Sequence, residues 1–359
     1  MAEKRIVWVD YAKAIAIVLI VASHVQHRIF KMGLCGNSSL YHFVDSLLYS
    51  FHVPLFFFVS GIFLRAALRK RGLKAFTLNK LGSIMYPFII WSLLQTGVEI
   101  TVSHMGAGSI PWTELITCLY YPRAHFWFLY ALFFMSIFSG LIYSASRRFG
   151  LTVLSALATL LFFASCLIDL GPFAEFGRYY IFFAAGVAAE QIGLIARISH
   201  RIPSAKSCDK CGAGLKKRVG GRILPAAAAV FAVVEYTFII LDWNALWFGR
   251  IILGGVGIFF SIAVAVAIAE QSGFGWLECI GTKTLPIYVA HVLAAYPVMQ
   301  GIWILTRSEN VTLYFVAGML AGILLPLALD AVAGRFGLGM FFKLQPGKYT
   351  RQTVRAKRS

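Results

Sequence analysis

The chain has 359 residues, of which 59% are hydrophobic and only 13% are charged. Soluble domains carry about 45–50% apolar and about 25% charged residues, so this composition excludes an ordinary globular protein. The formal net charge of +18 does not indicate a nucleic-acid partner, because the basic residues lie in short segments between long hydrophobic blocks. Six cysteines in a chain of this length exclude a disulfide scaffold.

The hydrophobic blocks are near 20 residues long, which is enough to cross a hydrocarbon core of about 30 Å as a helix. The predicted fold is therefore all-α, a polytopic membrane protein with about ten transmembrane helices in one bundle. One membrane domain is predicted over residues 1–335, followed by a basic cytoplasmic tail over 336–359. The predicted spans are 6–26, 41–63, 84–104, 125–143, 151–168, 179–195, 223–241, 248–268, 285–305 and 311–332.

The distribution of lysine and arginine predicts that both termini are cytoplasmic. With the N-terminus inside, the inner segments hold 26 of these residues, including six in the segment 65–83 and eight in 196–222. The outer side holds six, which are Arg28, Lys31, Arg123, Arg178, Arg307 and, at the outer end of the predicted span 248–268, Arg250. Such a bias sets orientation in membrane proteins. The first block carries Asp10 and Lys13 without a small-residue cleavage site, which favours a retained helix over a signal peptide.

Ionisable residues inside spans are costly, so they are the first candidates for function. In span 1, Lys13 and His24 are eleven residues apart, which places them on nearly the same helix face with a rise of about 16 Å. Asp10, one turn before Lys13, is its predicted ion-pair partner. One face of this helix is thus predicted to line a pathway across most of the bilayer.

Span 2 carries His42, Asp45, Tyr49 and His52 on one stripe, and Pro54 is expected to loosen the helix near His52. Asp45 is a candidate to orient a histidine that acts as a general base. The alternative is that these histidines only form hydrogen bonds between helices.

Two later spans begin or continue with aromatic and histidine residues. His125 and Trp127 open span 4 at the predicted outer surface, where they form either an interfacial aromatic belt or a stacking platform for a sugar or an adenine. Tyr288 and His291 lie one turn apart in span 9.

Other patterns predict little chemistry. Cys208 and Cys211 lack a second ligand pair, so free thiols are favoured over a zinc or redox site, and no metal is predicted. The sequence has no phosphate-binding glycine loop, nucleophile elbow or HExxH motif. Its glycines are predicted to permit close helix packing.

Four segments together resemble the membrane acyltransferase family known as acyltransferase 3. The first is Val9–Lys13 with His24, which matches a pattern of a basic residue, ten residues and a histidine. Phe51–Gly61, His125–Leu129 and Gly281–His291 resemble three further blocks of the family, in the same order. The branch named for fucose 4-O-acetylase is the most similar.

The resemblance implies transfer of an acyl group from a cytosolic acyl-CoA, such as acetyl-CoA, to a sugar hydroxyl, with no bound cofactor. It implies His24 as the general base, and His52 or His291 polarising the acyl carbonyl or orienting the acceptor. Lys13 replaces the arginine of many members. Asp10, Asp45, His125, Trp127 and Tyr288 are the candidate substrate-binding residues.

The donor phosphates are expected to bind the basic segment 65–83. Lys80 is retained there, but Gly82–Ser83 stand where the family has further basic residues. Arg65, Arg69 or Arg71 is a possible substitute.

The implied partners are acyl-CoA, a sugar or glycolipid acceptor and membrane lipids, with the chain in the cell (inner) membrane. An exporter or flippase of a lipid-linked or acylated saccharide is the alternative function, although no internal repeat supports it. An assembly subunit of a glycan-synthesis complex is a third, and it predicts that the intramembrane histidines are dispensable.

Overall fold

In a computed structural model of the protein, residues 6–34, 38–106, 108–146, 148–201, 219–243, 246–271 and 274–344 are described. Within these ranges the secondary structure is helical, and no strand occurs. The helices are α1 (Val7–Lys31), α2 (Ser38–Tyr49), α3 (His52–Ile62), α4 (Leu64–Lys80), α5 (Tyr86–Met105), α6 (Glu114–Thr117), α7 (Trp127–Ala145), α8 (Gly150–Leu167), α9 (Ala174–Gln191), α10 (Leu194–Arg201), α11 (Val219–Ile240), α12 (Trp247–Ala269), α13 (Gly275–Thr282), α14 (Thr284–Thr306) and α15 (Val311–Arg335).

The described residues contain nine helical stretches long and apolar enough to cross a membrane. A tenth is obtained if Gly171–Gln191 and Leu194–His200, which meet at a 63° bend, form one broken span. The chain is therefore an all-α, multi-pass membrane protein, as its hydropathy predicts.

The segment 65–83, predicted as a basic loop, is instead mostly helical. Its first part belongs to α4, and Leu81–Met85 form a π-helical turn that leads into α5. Leucine, alanine, arginine and lysine are good helix formers, so polarity alone does not end a helix here. Gly72 bends α4 with φ 70° and ψ 165°, a conformation that glycine adopts without steric cost.

Span 2 is interrupted rather than continuous. Helix α2 ends at Tyr49 and α3 begins at His52, with Phe51 at φ −138° and ψ −17° between them. Pro54 lies in the first turn of α3, where its missing N–H removes no helical hydrogen bond. The break lies one turn before Pro54, where the proline ring would meet the Ser50 carbonyl of a continuous helix, so the loosening expected near His52 is confirmed.

The helices group into two compact units, each made of separate chain segments. Unit 1 comprises Met1–Phe63 and Phe182–Leu324, and unit 2 comprises Leu64–Ile181 and Leu325–Ser359. In unit 1, helix α1 is central, since α2, α3, α12, α13 and α14 all pack against it. In unit 2, α7 packs against α4, α8 and the π-helical turn.

Glycines bring helix backbones together in unit 1, as predicted. Gly61 of α3 lies against the carbonyl of Phe183 on α9, and Gly186 of α9 lies against the carbonyl of Phe58 on α3. A methyl group at either position would overlap the facing backbone. Without a hydrophobic drive between helices in lipid, such close contacts supply much of the association energy.

Part of the predicted tail is packed within unit 2. The indole of Trp91 on α5 donates a hydrogen bond to the Phe341 carbonyl at 2.9 Å and stacks with the Phe342 ring. The Leu344 N–H donates to the Gly82 carbonyl at 3.0 Å. The tail beyond residue 344 lies outside the described residues, as does the basic run Lys216–Arg218. The domain boundary near residue 335 stays a prediction.

Candidate functional site

Helix α1 is unbroken from Val7 to Lys31, so its polar residues keep helical spacing. The Lys13 ammonium lies 3.5 Å from an Asp10 carboxylate oxygen, which confirms the predicted pair. Asp10 is buried and Lys13 is half-buried, and the ammonium also lies 5.3 Å from the centre of the Phe63 ring. A partly desolvated cation is thus held about 16 Å below His24 along the same face.

Three histidines of unit 1 lie close together. The rings of His24 on α1 and His291 on α14 have their centres 5.0 Å apart. His24 is also within electrostatic range of His52 on α3. The Tyr288 ring lies 6.2 Å from that of His291, on the same helix. Residues that are more than 260 positions apart in sequence therefore form one polar cluster inside a membrane domain.

The hydrogen bonds of His291 determine which ring nitrogen carries the hydrogen when the imidazole is neutral. Its Nδ1 lies 2.7 Å from the Tyr288 carbonyl and 3.2 Å from the Ile287 carbonyl. Carbonyl oxygens only accept, so Nδ1 carries the hydrogen and donates it. In the neutral ring, Nε2 then holds the lone pair. His291 is 1% exposed, so this basic nitrogen is held away from bulk water.

His52 is oriented in the same way at the start of α3. Its Nδ1–H donates to the Leu48 carbonyl, and the ring is 2% exposed. The neutral ring again presents Nε2 as the basic atom. The Tyr49 ring lies 5.1 Å away, which keeps these two members of the predicted stripe in contact across the helix break.

Asp45 and His42, the other members of the stripe, belong to a separate group near the end of α1. Asp45 interacts electrostatically with His27 and His42. His27 is joined to Tyr41 by a hydrogen bond of 2.9 Å between Nδ1 and the phenol oxygen. The histidines that Asp45 faces are thus His27 and His42, since His52 lies two turns further along the stripe, about 10 Å away even in a continuous helix.

The glycine of the Gly281–His291 segment has a structural role. Gly281 is in α13, and its Cα faces the backbone carbonyl of Asp10 so closely that a Cβ would overlap it. This contact holds α13 against α1 at the Asp10–Lys13 pair. The same segment then continues into α14, which carries Tyr288 and His291.

Three residues beyond His24 and His291 were not singled out from the sequence. The Tyr296 hydroxyl donates to the His24 carbonyl at 3.3 Å, and the Arg28 guanidinium lies 5.3 Å from the centre of the Tyr296 ring. Arg28 donates to the Gln300 side chain at 2.8 Å. Part of the signal was available as helical spacing, because Arg28 follows His24 by four residues on α1 and Gln300 follows Tyr296 by four on α14.

His125 and Trp127 lie in unit 2. His125 is buried in the short 3-10 turn Ala124–Phe126, with its ring centre 4.3 Å from that of Phe126. The Trp127 ring stacks on Tyr179 at 5.4 Å. This pairing of stacked rings is compatible with either the aromatic belt or the stacking platform that the sequence suggests.

The predicted donor residues all lie on α4 of unit 2. Arg65 and Arg69 precede the bend at Gly72, and Lys80 follows it. Arg71 is hydrogen-bonded to Asn79 and is within electrostatic range of Lys80. The bend therefore brings Arg71 close to Lys80. Cys208 and Cys211 lie outside the described residues.

The fold and these side chains define a class, the multi-pass helical membrane proteins with a buried histidine cluster. A family model described as an acyltransferase domain, Acyl_transf_3, matches residues 6–331. Because the match covers most of the chain, the protein belongs to the acyltransferase 3 family and is a membrane acyltransferase. Neither the comparison with curated proteins nor that with solved structures gives a match.

Proposed function

We propose that the protein transfers an acyl group from an acyl-CoA, with acetyl-CoA as the first candidate, to a hydroxyl of a cell-surface carbohydrate or glycolipid in the inner membrane. The observation that supports this most is the ring contact between His24 and His291, on helices whose sequences carry the family's motifs. An alcohol is a poor nucleophile at neutral pH, so the reaction needs a base, and imidazole is suited to it.

In the proposed reaction His24 is the general base. It removes the hydroxyl hydrogen as the oxygen attacks the thioester carbonyl, and a tetrahedral oxyanion forms. When this intermediate collapses, the carbon–sulfur bond breaks and the proton on His24 passes to the departing CoA sulfur. The ester is formed and the imidazole is neutral again, so no cofactor is required.

The hydrogen bonds of His52 and His291 favour one of the two roles implied for them. With Nδ1–H given to a backbone carbonyl, a neutral imidazole has no further hydrogen to donate, so it cannot polarise the acyl carbonyl. Its Nε2 can accept a hydrogen bond from the acceptor hydroxyl. We therefore assign His291, with His52, to orienting the acceptor.

The charges of α4 support an acyl-CoA donor. Arg65, Arg69, Arg71 and Lys80 attract the phosphates of CoA, and the proximity of Arg71 to Lys80 supplies the second cation missing at Gly82–Ser83. Lys13 is proposed to assist on the same side of the membrane. Its ion pair with Asp10 holds the ammonium in place for an anionic ligand.

The acceptor is proposed to be a membrane-bound sugar. Within unit 1, Asp45 and Tyr288 offer polar groups. Within unit 2, the Trp127 ring, with His125 beside it, offers an aromatic face for a sugar ring. Since the described outer segments are short, apart from the one that spans 105–124, a glycolipid or nascent polymer already in the membrane is favoured over a free sugar.

The first experiment measures transfer of radiolabel from acetyl-CoA in membranes that contain the wild-type chain or His24→Ala. Label in a glycan or glycolipid fraction with the wild type alone is expected. Succinyl-CoA serves as a second donor. If neither donor gives label while glycan still reaches the outside, the proposed transfer from acyl-CoA to a carbohydrate is wrong. The exporter of a lipid-linked or acylated saccharide is then favoured.

A further inference from the structure

The break between α2 and α3 leaves two carbonyls to be satisfied inside the membrane. In a continuous helix the Leu47 and Leu48 carbonyls would accept from the N–H groups of residues 51 and 52. Here they accept from side chains instead. The Ser50 Oγ lies 2.9 Å from the Leu47 oxygen, and the His52 Nδ1–H donates to Leu48. Ser50 and His52 thus stabilise the same interrupted turn.

A carboxyl group from another span meets this turn. Glu235 of α11 is 3% exposed, and its Oε1 lies 2.6 Å from the Ser50 Oγ. Its second oxygen is buried and forms no hydrogen bond with any described residue. The described residues also contain no ion pair to Glu235, so no neighbouring cation there offsets a negative charge.

Hydrogen counting determines how this contact is made. The Ser50 hydroxyl has one hydrogen, yet it faces two oxygens, those of Leu47 and Glu235. A carbonyl and an ionised carboxylate are both acceptors only, so they cannot both be satisfied by one hydrogen. A protonated Glu235 removes the conflict, because it donates to Ser50 while Ser50 donates to Leu47. An uncharged carboxyl is also much less costly inside a membrane domain.

We propose that Glu235 is a positioning residue, a neutral carboxylic acid that donates through Ser50 to the broken turn and thereby fixes the direction of His52. The proposal rests on the proposed function, since His52 is taken to orient the acceptor. In this proposal Glu235 acts on His52 and not on the substrate. It acts through the chain Glu235–Ser50–Leu47, whose last member is adjacent to the carbonyl that holds His52.

The test uses the full chain in lipid nanodiscs and compares E235Q with E235A. Glutamine is uncharged and its amide can donate to Ser50, so E235Q is expected to keep kcat within about threefold of wild type. E235A removes the donor, and kcat is expected to fall about tenfold or more with the KM for acyl-CoA unchanged, because a small displacement of a positioned group is costly. Glu309→Ala, in an exposed loop, is the control. Equal losses in E235Q and E235A would overturn the proposal.

Infrared spectroscopy tests the protonation independently of any acyl transfer. The wild-type minus E235Q spectrum at pH 7 is expected to contain the carbonyl stretch of a protonated carboxylic acid. That band is expected to shift in Ser50→Ala, where its acceptor is lost. Carboxylate bands instead would overturn the proposal, even if the protein is an active acyltransferase. If transfer fails with every donor, the infrared result still decides the state of Glu235.

Discussion

Inside a membrane, the chemistry of an imidazole depends on which ring nitrogen carries its hydrogen. His291 gives Nδ1–H to a backbone carbonyl of its own helix, one turn back, and His52 gives it to the Leu48 carbonyl at the end of the preceding helix, across the break. The acceptor is a backbone carbonyl, so the bond does not require a particular residue type as its partner. It directs Nε2 away from the backbone. Histidines held in this way are suited to accepting a hydrogen bond or a proton.

Replacement of His291 by asparagine separates the structural use of the ring from its chemical use. Asparagine can still donate to a backbone carbonyl, but it has no basic nitrogen. We expect His291→Asn to leave folding intact and to lower acyl transfer about 100-fold, because the acceptor hydroxyl is then no longer held in position for attack. Thermal unfolding in detergent serves as the control for folding, and near-normal transfer would show that His291 has only a structural role.

Lys13 offers a second test at this scale. Arginine keeps the positive charge beside Asp10, and the family motif that this segment resembles often has arginine at this position. Lys13→Arg should therefore retain most transfer. Lys13→Gln removes the charge that is proposed to assist donor binding. We expect the KM for acyl-CoA to rise about tenfold in Lys13→Gln, as loss of one charged hydrogen bond implies. An unchanged KM would exclude Lys13 from donor binding.

At the scale of helices, glycines that contact a facing backbone determine how neighbouring helices of unit 1 are placed against each other. Gly281 holds α13 to α1 beside the Asp10–Lys13 pair, and Gly61 and Gly186 hold α3 to α9. In each case the facing atom is a carbonyl oxygen in a helix, which cannot move aside as a flexible side chain does. These contacts position α1 and α3, which carry Lys13 and His52, and α13, which leads into the helix of His291.

Gly281→Ala is expected to destabilise the protein and to lower transfer together. The added methyl group overlaps the Asp10 carbonyl, and overpacking of this kind costs about 1–3 kcal/mol or more. Gly275→Ala, six residues earlier in the same helix, is the matched control because a Cβ there meets no atom within 4 Å. The measurement is the thermal midpoint of both variants in detergent, and equal midpoints would contradict the contact.

The α3–α9 crossing gives an independent prediction. Gly61→Ala is expected to lower stability by a similar amount, since its methyl group overlaps the Phe183 carbonyl. Gly255→Ala on α12 should be neutral or slightly stabilising, because its surroundings are open and alanine is a better helix former by about 1 kcal/mol. Reversal of this order between the two variants would show that the helices cross elsewhere.

At the scale of the whole molecule, the orientation in the membrane follows from charge. Glu309→Cys, after α14, is expected to react with an impermeant maleimide in intact cells, and Gln271→Cys, after α12, only after permeabilisation. The background for both is a chain whose six native cysteines are replaced by serine. The opposite labelling pattern would invert the topology and place the basic α4 on the outer side, where cytosolic acyl-CoA does not reach.

Much of the architecture was predictable because lipid imposes it. Blocks such as Trp247–Ala269 must be helical in a membrane whatever they pack against, so hydropathy alone predicts them. The pairing of Asp10 with Lys13 was predictable as well, since both belong to one helix. The polar helix α4 was missed for the converse reason, because a helix outside the apolar core gives no hydropathy signal.

The sequence by itself determined that the chain spans the membrane many times, which residues are ionisable within the spans, and the motifs of the acyltransferase 3 family. Tertiary structure alone decided that His24 meets His291, that Asp45 faces His27 and His42, and that Glu235 meets the broken turn at Ser50. The physical reason is that periodicity describes one helix at a time. Contacts between helices depend on where backbones approach, and here glycines and a helix break determine that approach.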